Sequence, residues 1–345
     1  MTTLTTAPTS PAPRIDADVL IIGAGPTGLT LATALTLRGV RTVIVDRQAA
    51  GANTSRAAVV HARTLEVLEP LGVAEALVSR GIPARRFCVR DRDRLLVPIG
   101  FDDLPTAYPY TLMISQATTE AVLLGRLQAV GGRVMRPRSL VGLEQDRDGA
   151  TARLDDGTVV DARFVVGADG MHSAVREHAG IGFSGGSYAE SFSLADVRLS
   201  GRVPRDEVTL YFSPAGMVVV APLPGGMHRI VATIAEAPEQ PDAAFVQALL
   251  DTRGPERERA VVHEVVWGSR FRVHHRIADR YRAGRILLAG DAAHVHSPAG
   301  GQGMNVGILD AVALADALVE ALGGTLAALD AYGALRRPAA RQVVA

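Results

Sequence analysis

Apolar residues gather in three strand-like runs, each leading into a turn that carries glycine or aspartate and then into a helical stretch. Val19-Leu20-Ile21-Ile22 is unbroken by polar residues, the pattern of a strand buried on both faces. It enters Gly23-Ala24-Gly25-Pro26-Thr27-Gly28, after which Leu29, Leu31, Ala32, Ala34, Leu35 and Leu37 predict a helix running up to Gly39. Val40 to Val45 reads as a second strand that ends on Asp46. Asp161 to Gly167 repeats the design, with Ala168-Asp169-Gly170 as the turn and a helix starting near Ser173. Gly284 to Ala289 repeats it with Gly290-Asp291, then crosses a Pro/Gly loop into a helix predicted from about Gly303 to Leu322.

A different rhythm occupies the middle of the chain. Ser193 to Leu199, Glu207 to Phe212, Met217 to Ala221 and His228 to Ile234 are apolar or alternating runs. Pro204, Pro214-Ala215-Gly216 and Pro224-Gly225-Gly226 separate them as turns, which predicts an antiparallel sheet. A short helix is expected around Phe245 to Leu250, and one or two further strands over Val261 to Val273.

The first unit is a dinucleotide-binding βαβ pattern. Gly23, Gly25 and Gly28 permit a tight turn and close approach to a pyrophosphate, and Asp46, about 20 residues on, suits the hydroxyls of a ribose. With both strands and the helix in order, a mere glycine-rich turn is disfavoured, although the unit alone admits NAD or FAD. Asp291, at a strand end beside glycines, can accept hydrogen bonds from sugar-like hydroxyls, and the helix start after it favours a partly anionic group. Asp169 has a competing role as a helix cap.

Composition narrows the choices. Over 345 residues the formal net charge is zero with no basic run, which disfavours nucleic acid as a partner. The single cysteine, Cys88, excludes an intrachain disulfide and fits a reducing cytoplasm. No metal-ligand spacing occurs, so no metal site is expected, and no apolar stretch is long enough to span a bilayer. Residues 1–13 are rich in Thr, Pro and Ala and read as a disordered tail. His274-His275 and the stretch Arg253 to Arg259 read as surface.

Together, the Gly23–Gly28 fingerprint, Gly167-Ala168-Asp169-Gly170-Met171-His172-Ser173-Ala174-Val175-Arg176 and Gly290-Asp291-Ala292-Ala293-His294 with Gly300-Gly301-Gln302-Gly303-Met304-Asn305 resemble the class A flavoprotein monooxygenases. Ser55 to Leu68 and Tyr108 to Glu120 are similar to the branch of phenol and aromatic polyketide hydroxylases. The resemblance spans Asp18 to about Pro338. It implies an α/β fold, a Rossmann-like FAD-binding domain with an interleaved antiparallel-sheet substrate subdomain. The first would comprise residues 14–82, 112–182 and 276–345, the second residues 83–111 and 183–275.

The implied cofactor is FAD, reduced by transient NADPH or NADH; O2 would then add to form a C4a-hydroperoxide that hydroxylates a small phenolic or polyketide-like aromatic substrate. Cofactor contacts carried over are Gly23, Gly25, Pro26, Thr27, Gly28, Asp46, Arg47, Arg56, Gln116, Leu140, Asp169, Asp291, Gly301, Gly303, Met304 and Asn305. Pro298 and Gly300 match the backbone element beside the flavin C4a. Tyr211, Val219 and Pro222 are candidate substrate contacts in the sheet, and Tyr211, His228 and Arg229 are candidates for a base. Members of this branch commonly continue past Arg336-Arg337-Pro338 with more helix and often a thioredoxin-like domain, where this chain ends at Ala345. Other flavin chemistry on the same scaffold, or FAD binding without coupled hydroxylation, are the alternatives.

Overall fold

The structure, a computed structural model, describes residues 13–51, 57–235, 237–257, 259–297 and 299–344. Arg56, Pro298 and all but the last residue of the expected tail lie outside the described residues.

The apolar run seeds the first sheet. β1 (Arg14–Ile22) lies parallel between β2 (Thr42–Val45) and β11 (Val159–Gly167), with β8 (Val134–Met135) beyond β2 and β18 (Ile286–Leu288) beyond β11, also parallel. β9 (Leu140–Gln145), β10 (Ala150–Leu154) and β17 (Arg282–Ala283) extend it antiparallel. Val19, Leu20 and Ile21 are completely buried, each contributing roughly 1.5–3 kcal/mol of transfer free energy. α1 (Pro26–Leu37) has no polar face because it is enclosed between this sheet, α4 (Gln116–Ala129) and α7 (Gln302–Leu322). α8 (Ala327–Val344) packs on α7, while α2 (Ala62–Leu68), α3 (Ala74–Val78) and α5 (Ala174–His178) are short connectors.

The second sheet is the expected antiparallel one, with longer strands. Its order is β19 (His294–Val295), β16 (Val261–Ala278), β12 (Phe183–Ser200), β15 (Met227–Ile234), β14 (Gly216–Leu223), β13 (Glu207–Ser213), β5 (Arg86–Asp91) and β6 (Arg94–Gly100). Only the β13–β5 pair is parallel. β12 and β16 pair along most of their length, so each runs well past the apolar segment that announces it. β19 is unexpected: the segment after Asp291 leaves the first sheet at β18 and pairs with β16, sewing the two sheets together. β3 (Val59–Val60), β4 (Ile82–Ala84) and β7 (Thr111–Met113) form a small third sheet.

Register decides what each face of the second sheet meets. Val218, Val220, Ile230 and Ala232 lie under α6 (Ala243–Arg253), whose start is capped by Asp242 accepting the Phe245 N–H at 2.8 Å. Arg253, expected at the surface, is buried there and donates to the carbonyls of Met217 (3.0 Å) and Thr233 (2.7 Å), tying α6 to the sheet. His274 and His275 are half-buried in β16. On the opposite face, Val219, Ala221, Leu223 and Met227 pack on Ala58, Val59, Ala84 and Met113 of the flanking small sheet and its approach.

Candidate functional site

Three turns far apart in sequence meet at the start of α1. Gly23 has φ +104°, and a Cβ there would lie 2.3 Å from the Ala168 carbonyl oxygen, so the turn after β1 touches the turn after β11. Gly290, with φ +62°, faces Thr27: a Cβ would sit 2.5 Å from its Oγ1, and one on Gly307 of α7 2.4 Å from the same atom. The third turn therefore closes directly on the first turn of α1. Pro26 opens that helix, Gly25 gives it no side-chain cap and no acid lies in its first turn, leaving the Thr27 and Gly28 N–H groups without a preceding helical carbonyl. An anion such as a pyrophosphate suits that end.

Carboxylates ring this point. Asp46, at the end of β2, accepts the Ala24 N–H (2.7 Å) and the Gln48 N–H (2.8 Å), which orders the glycine turn and leaves further lone pairs for hydroxyls. Asp291 is exposed in a short 3-10 turn. Asp169 steadies the start of α5 without being its cap residue, which is Ser173. One oxygen accepts the Val175 N–H at 3.3 Å while Ser173 caps α5 through the Arg176 N–H at 3.0 Å. The other Asp169 oxygen is buried without a protein partner, and burial raises this carboxyl above its ordinary pKa against the hydrogen bonds from Ser173 and nearby N–H groups. A buried acceptor without a donor is costly, and a ligand hydroxyl would satisfy it.

The remaining cofactor candidates divide. Arg47 is exposed beside Asp46, and Leu140 is buried at the start of β9. Gln116 accepts the Ala57 N–H at 3.3 Å and donates to Glu120 at 2.9 Å, so its side chain braces the chain at Ala57. Gly300 and Gly301 both take left-handed φ (+74° and +64°) immediately before α7. Asn305 is committed to protein: it accepts the His61 N–H at 2.9 Å and donates to the carbonyls of Val59 (3.0 Å) and Gly301 (2.7 Å). It shapes the loop, while Gly303 and the half-buried Met304 present the helix start.

Several residues that the sequence reading gave no role belong to this arrangement. His61 Nε2 donates to the Gly300 carbonyl at 2.9 Å, and burial lowers its pKa. Arg176, from the second motif, is buried and donates to the carbonyls of Ala292 (3.0 Å) and Met171 (2.9 Å), with its guanidinium 3.9 Å over the Phe183 ring. It clamps the Asp169 turn to the Asp291 turn. Arg136, just after β8, donates to the Ala24 carbonyl at 3.2 Å and lies near Glu120, whose carboxyl burial pushes up. Among the described residues, no group of three or more His, Cys, Asp or Glu side chains is placed to hold a metal.

The sheet candidates separate by face. Tyr211 is paired with Val218 and packs in the cluster under α6, on the face opposite Val219, and Pro222 shares Tyr211's side by register. His228 Nε2 contacts the Pro204 carbonyl at 3.2 Å, also on that side. Arg229 shares the face of Val219 and Ala221, yet it forms a buried two-point pair with Asp196 (2.7 and 2.8 Å), 5.8 Å from the Trp267 ring. A guanidinium locked in this way is no base. Tyr211→Phe is accordingly expected to leave FAD binding and substrate turnover unchanged within a factor of about two, since its hydroxyl lies on the α6 side of the sheet, away from the loop before α7; a tenfold fall in turnover with FAD affinity intact would place Tyr211 in the site.

Residues 16–345 match the family described as FAD binding domain. Over 331 residues the chain is 42% identical to 6-methylpretetramide 4-monooxygenase of Streptomyces rimosus, covering 93% of this chain and 59% of that protein. It therefore spans less than two thirds of that relative's length. It is 37% identical over 351 residues to 12-dehydrotetracycline 5-monooxygenase/anhydrotetracycline 6-monooxygenase of Streptomyces rimosus subsp. rimosus, covering 95% of this chain and 68% of that one. The crystal structure of p-nitrophenol 4-monooxygenase from Pseudomonas putida DLL-E4 superposes with a TM-score of 0.84 at 27% identity, over 94% of this chain and 85% of the other. No described helix is long and apolar enough to cross a membrane. With the three-turn geometry and these matches in agreement, the chain belongs to the FAD binding domain family, among relatives that are class A FAD-dependent aromatic monooxygenases.

Proposed function

We propose that this chain forms the FAD site and substrate-facing sheet of an aromatic monooxygenase that uses NADPH or NADH and O2 to hydroxylate a phenolic or polyketide-like ring. The observation that carries the reading is the position of Val59. It backs Gly301, where a Cβ would lie 2.8 Å from the Val59 Cβ, and it packs with Val219, Ala221 and Met227 of the second sheet. An apolar patch of that sheet face, beside the Arg229–Asp196 pair, thus abuts the loop that precedes α7, where a flat aromatic ring can be held away from water. The names of the relatives, which include tetracycline-type and nitrophenol monooxygenases, support a ring of this class.

Bound FAD would supply the electron transfer and oxygen activation, which explains a site without a catalytic triad. The chain's own contribution is placement. Thr27 and Gly28 N–H groups would meet the pyrophosphate, Asp46 the adenosine ribose, Asp169 and Asp291 further hydroxyls, and the Gly300–Met304 backbone the flavin ring. We further propose the division into residues 14–82, 112–182 and 276–345 for cofactor and 83–111 and 183–275 for substrate, with β19 as the exception that joins the second sheet, and a cytoplasmic location.

Rapid-mixing reduction of the FAD-loaded protein by NADPH, with and without a panel of phenols, tests the reading. Substrate-stimulated reduction followed by hydroxylated product is expected. Reduction that yields only hydrogen peroxide with every phenol would overturn coupled hydroxylation by this chain, and absence of FAD binding would overturn the cofactor assignment.

A further inference from the structure

Behind the Asp291 turn lies a largely buried polar network that no step of the proposed chemistry uses. Asp310 of α7 and His294 are both completely buried. One Asp310 oxygen lies 2.6 Å from His294 Nε2 and also accepts the Gly290 N–H at 3.2 Å. Its other oxygen accepts Arg336 Nε at 2.6 Å, from α8, and Arg336 also reaches the Val306 carbonyl at 3.4 Å. Gly290 and His294 stand on either side of Asp291, so a single carboxylate grips the turn before and after the exposed aspartate.

The surroundings fix this grip. His294 is stacked between Tyr281 (6.2 Å) and His296 (6.4 Å), and the carboxylate requires its hydrogen on Nε2. Tyr332 of α8 donates to the Leu288 carbonyl at 2.8 Å, at the end of the strand that feeds the turn, and Arg337 to the Ala278 carbonyl at 3.0 Å. α8 therefore holds the turn through Asp310 and the strand before it through Tyr332. Burying an ion pair gains little net stability against apolar packing, because desolvation offsets most of the attraction, but it fixes geometry. A pair that also holds a ligand-bearing turn has a geometric task at hand.

We propose that Asp310 is a positioning residue for FAD: it sets the Gly290–Asp291 turn, and Arg336 makes the C-terminal helix part of that setting. The proposal rests on FAD binding at this turn. It does not depend on which ring is hydroxylated.

The test uses the whole chain. In the double variant Asp310→Asn/Arg336→Gln both buried charges are removed together, so neither is stranded. His294→Phe keeps a ring against Tyr281 and removes only the bond to Asp310. FAD is titrated by quenching of flavin fluorescence at a temperature where circular dichroism shows each apoprotein folded, and the flavin midpoint potential is measured on loaded samples. Both variants are expected to weaken FAD binding about tenfold or more, the scale of a charge-assisted hydrogen bond that orders the turn. The conservative Arg336→Lys, which retains the charge, is expected to bind FAD more tightly than Arg336→Gln. A lowered melting temperature with wild-type FAD affinity and potential would overturn the proposal and leave the network as scaffold. If the double variant does not fold, His294→Phe decides between these outcomes alone. Wild-type protein that fails to bind FAD would instead overturn the cofactor site itself.

Discussion

Asp291→Ala is expected to lower FAD affinity by about a hundredfold or more, the loss of two charge-assisted hydrogen bonds from ligand hydroxyls. The apoprotein should remain folded, because Asp291 is exposed on a 3-10 turn and the grip on that turn comes from Asp310, Arg176 and Thr27. Exposed substitutions of this kind usually alter stability by no more than about 0.5 kcal/mol. Equilibrium titration with FAD, alongside thermal unfolding of the apoprotein, separates the two quantities. Undiminished affinity would make Asp291 an ordinary turn residue. Loss of affinity accompanied by an equal loss of fold would leave its role as a ligand without support.

The three turns were legible because each is local. A buried strand, a turn of glycine or aspartate and a helix start can be read within about twenty residues, since strand, turn and cap all follow from short-range sterics and hydrogen bonds. The clamps between them were not. Arg176 reaches the Ala292 carbonyl across 116 positions and Asn305 reaches the Val59 carbonyl across 246, and a backbone acceptor leaves no trace in the identity of the residue that carries it. Arg136 shows the same limit, an ordinary arginine after a strand until β8 is placed beside β2.

The side of the sheet that Tyr211 occupies was illegible for another reason. Alternation assigns residues to two faces, but Thr209 and Tyr211 lie under α6 while Val208 packs with Ala58, Ala84 and Met113 of the small third sheet and its approach, and both faces are covered. With no polar face to mark solvent, period alone cannot say which side meets the loop before α7. Arg253 was misplaced because an arginine in a charged stretch ordinarily stays at the surface, whereas here two carbonyls of the sheet accept its hydrogens.

Gly301 and Gly303 should give opposite kinds of result when each is replaced by valine. Gly301 has φ +64°, and a Cβ there would lie 2.8 Å from the Val59 Cβ, so Gly301→Val must shift the loop or Val59. Left-handed backbone alone costs roughly 1–2 kcal/mol for a residue with a side chain, and a β-branched one fares worse. This variant is expected to lose FAD and to unfold more readily, which makes it a poor probe of the flavin itself. Gly303 is in the helix, and the nearest atom to an added Cβ is His296 Nε2 at 3.8 Å, ordinary contact. Gly303→Val should therefore keep the fold while pushing the flavin edge from the N-terminus of α7. Reduced flavin is anionic at that edge, and the helix start stabilises such charge by roughly 0.3–1 kcal/mol. Losing that stabilisation lowers the two-electron midpoint potential by roughly 6–20 mV. Spectroelectrochemical titration of FAD-loaded Gly303→Val reads this directly. An unchanged potential with wild-type FAD affinity would mean that α7 does not face the anionic edge, and the placement of the flavin ring against the Gly300–Met304 backbone would have to be abandoned.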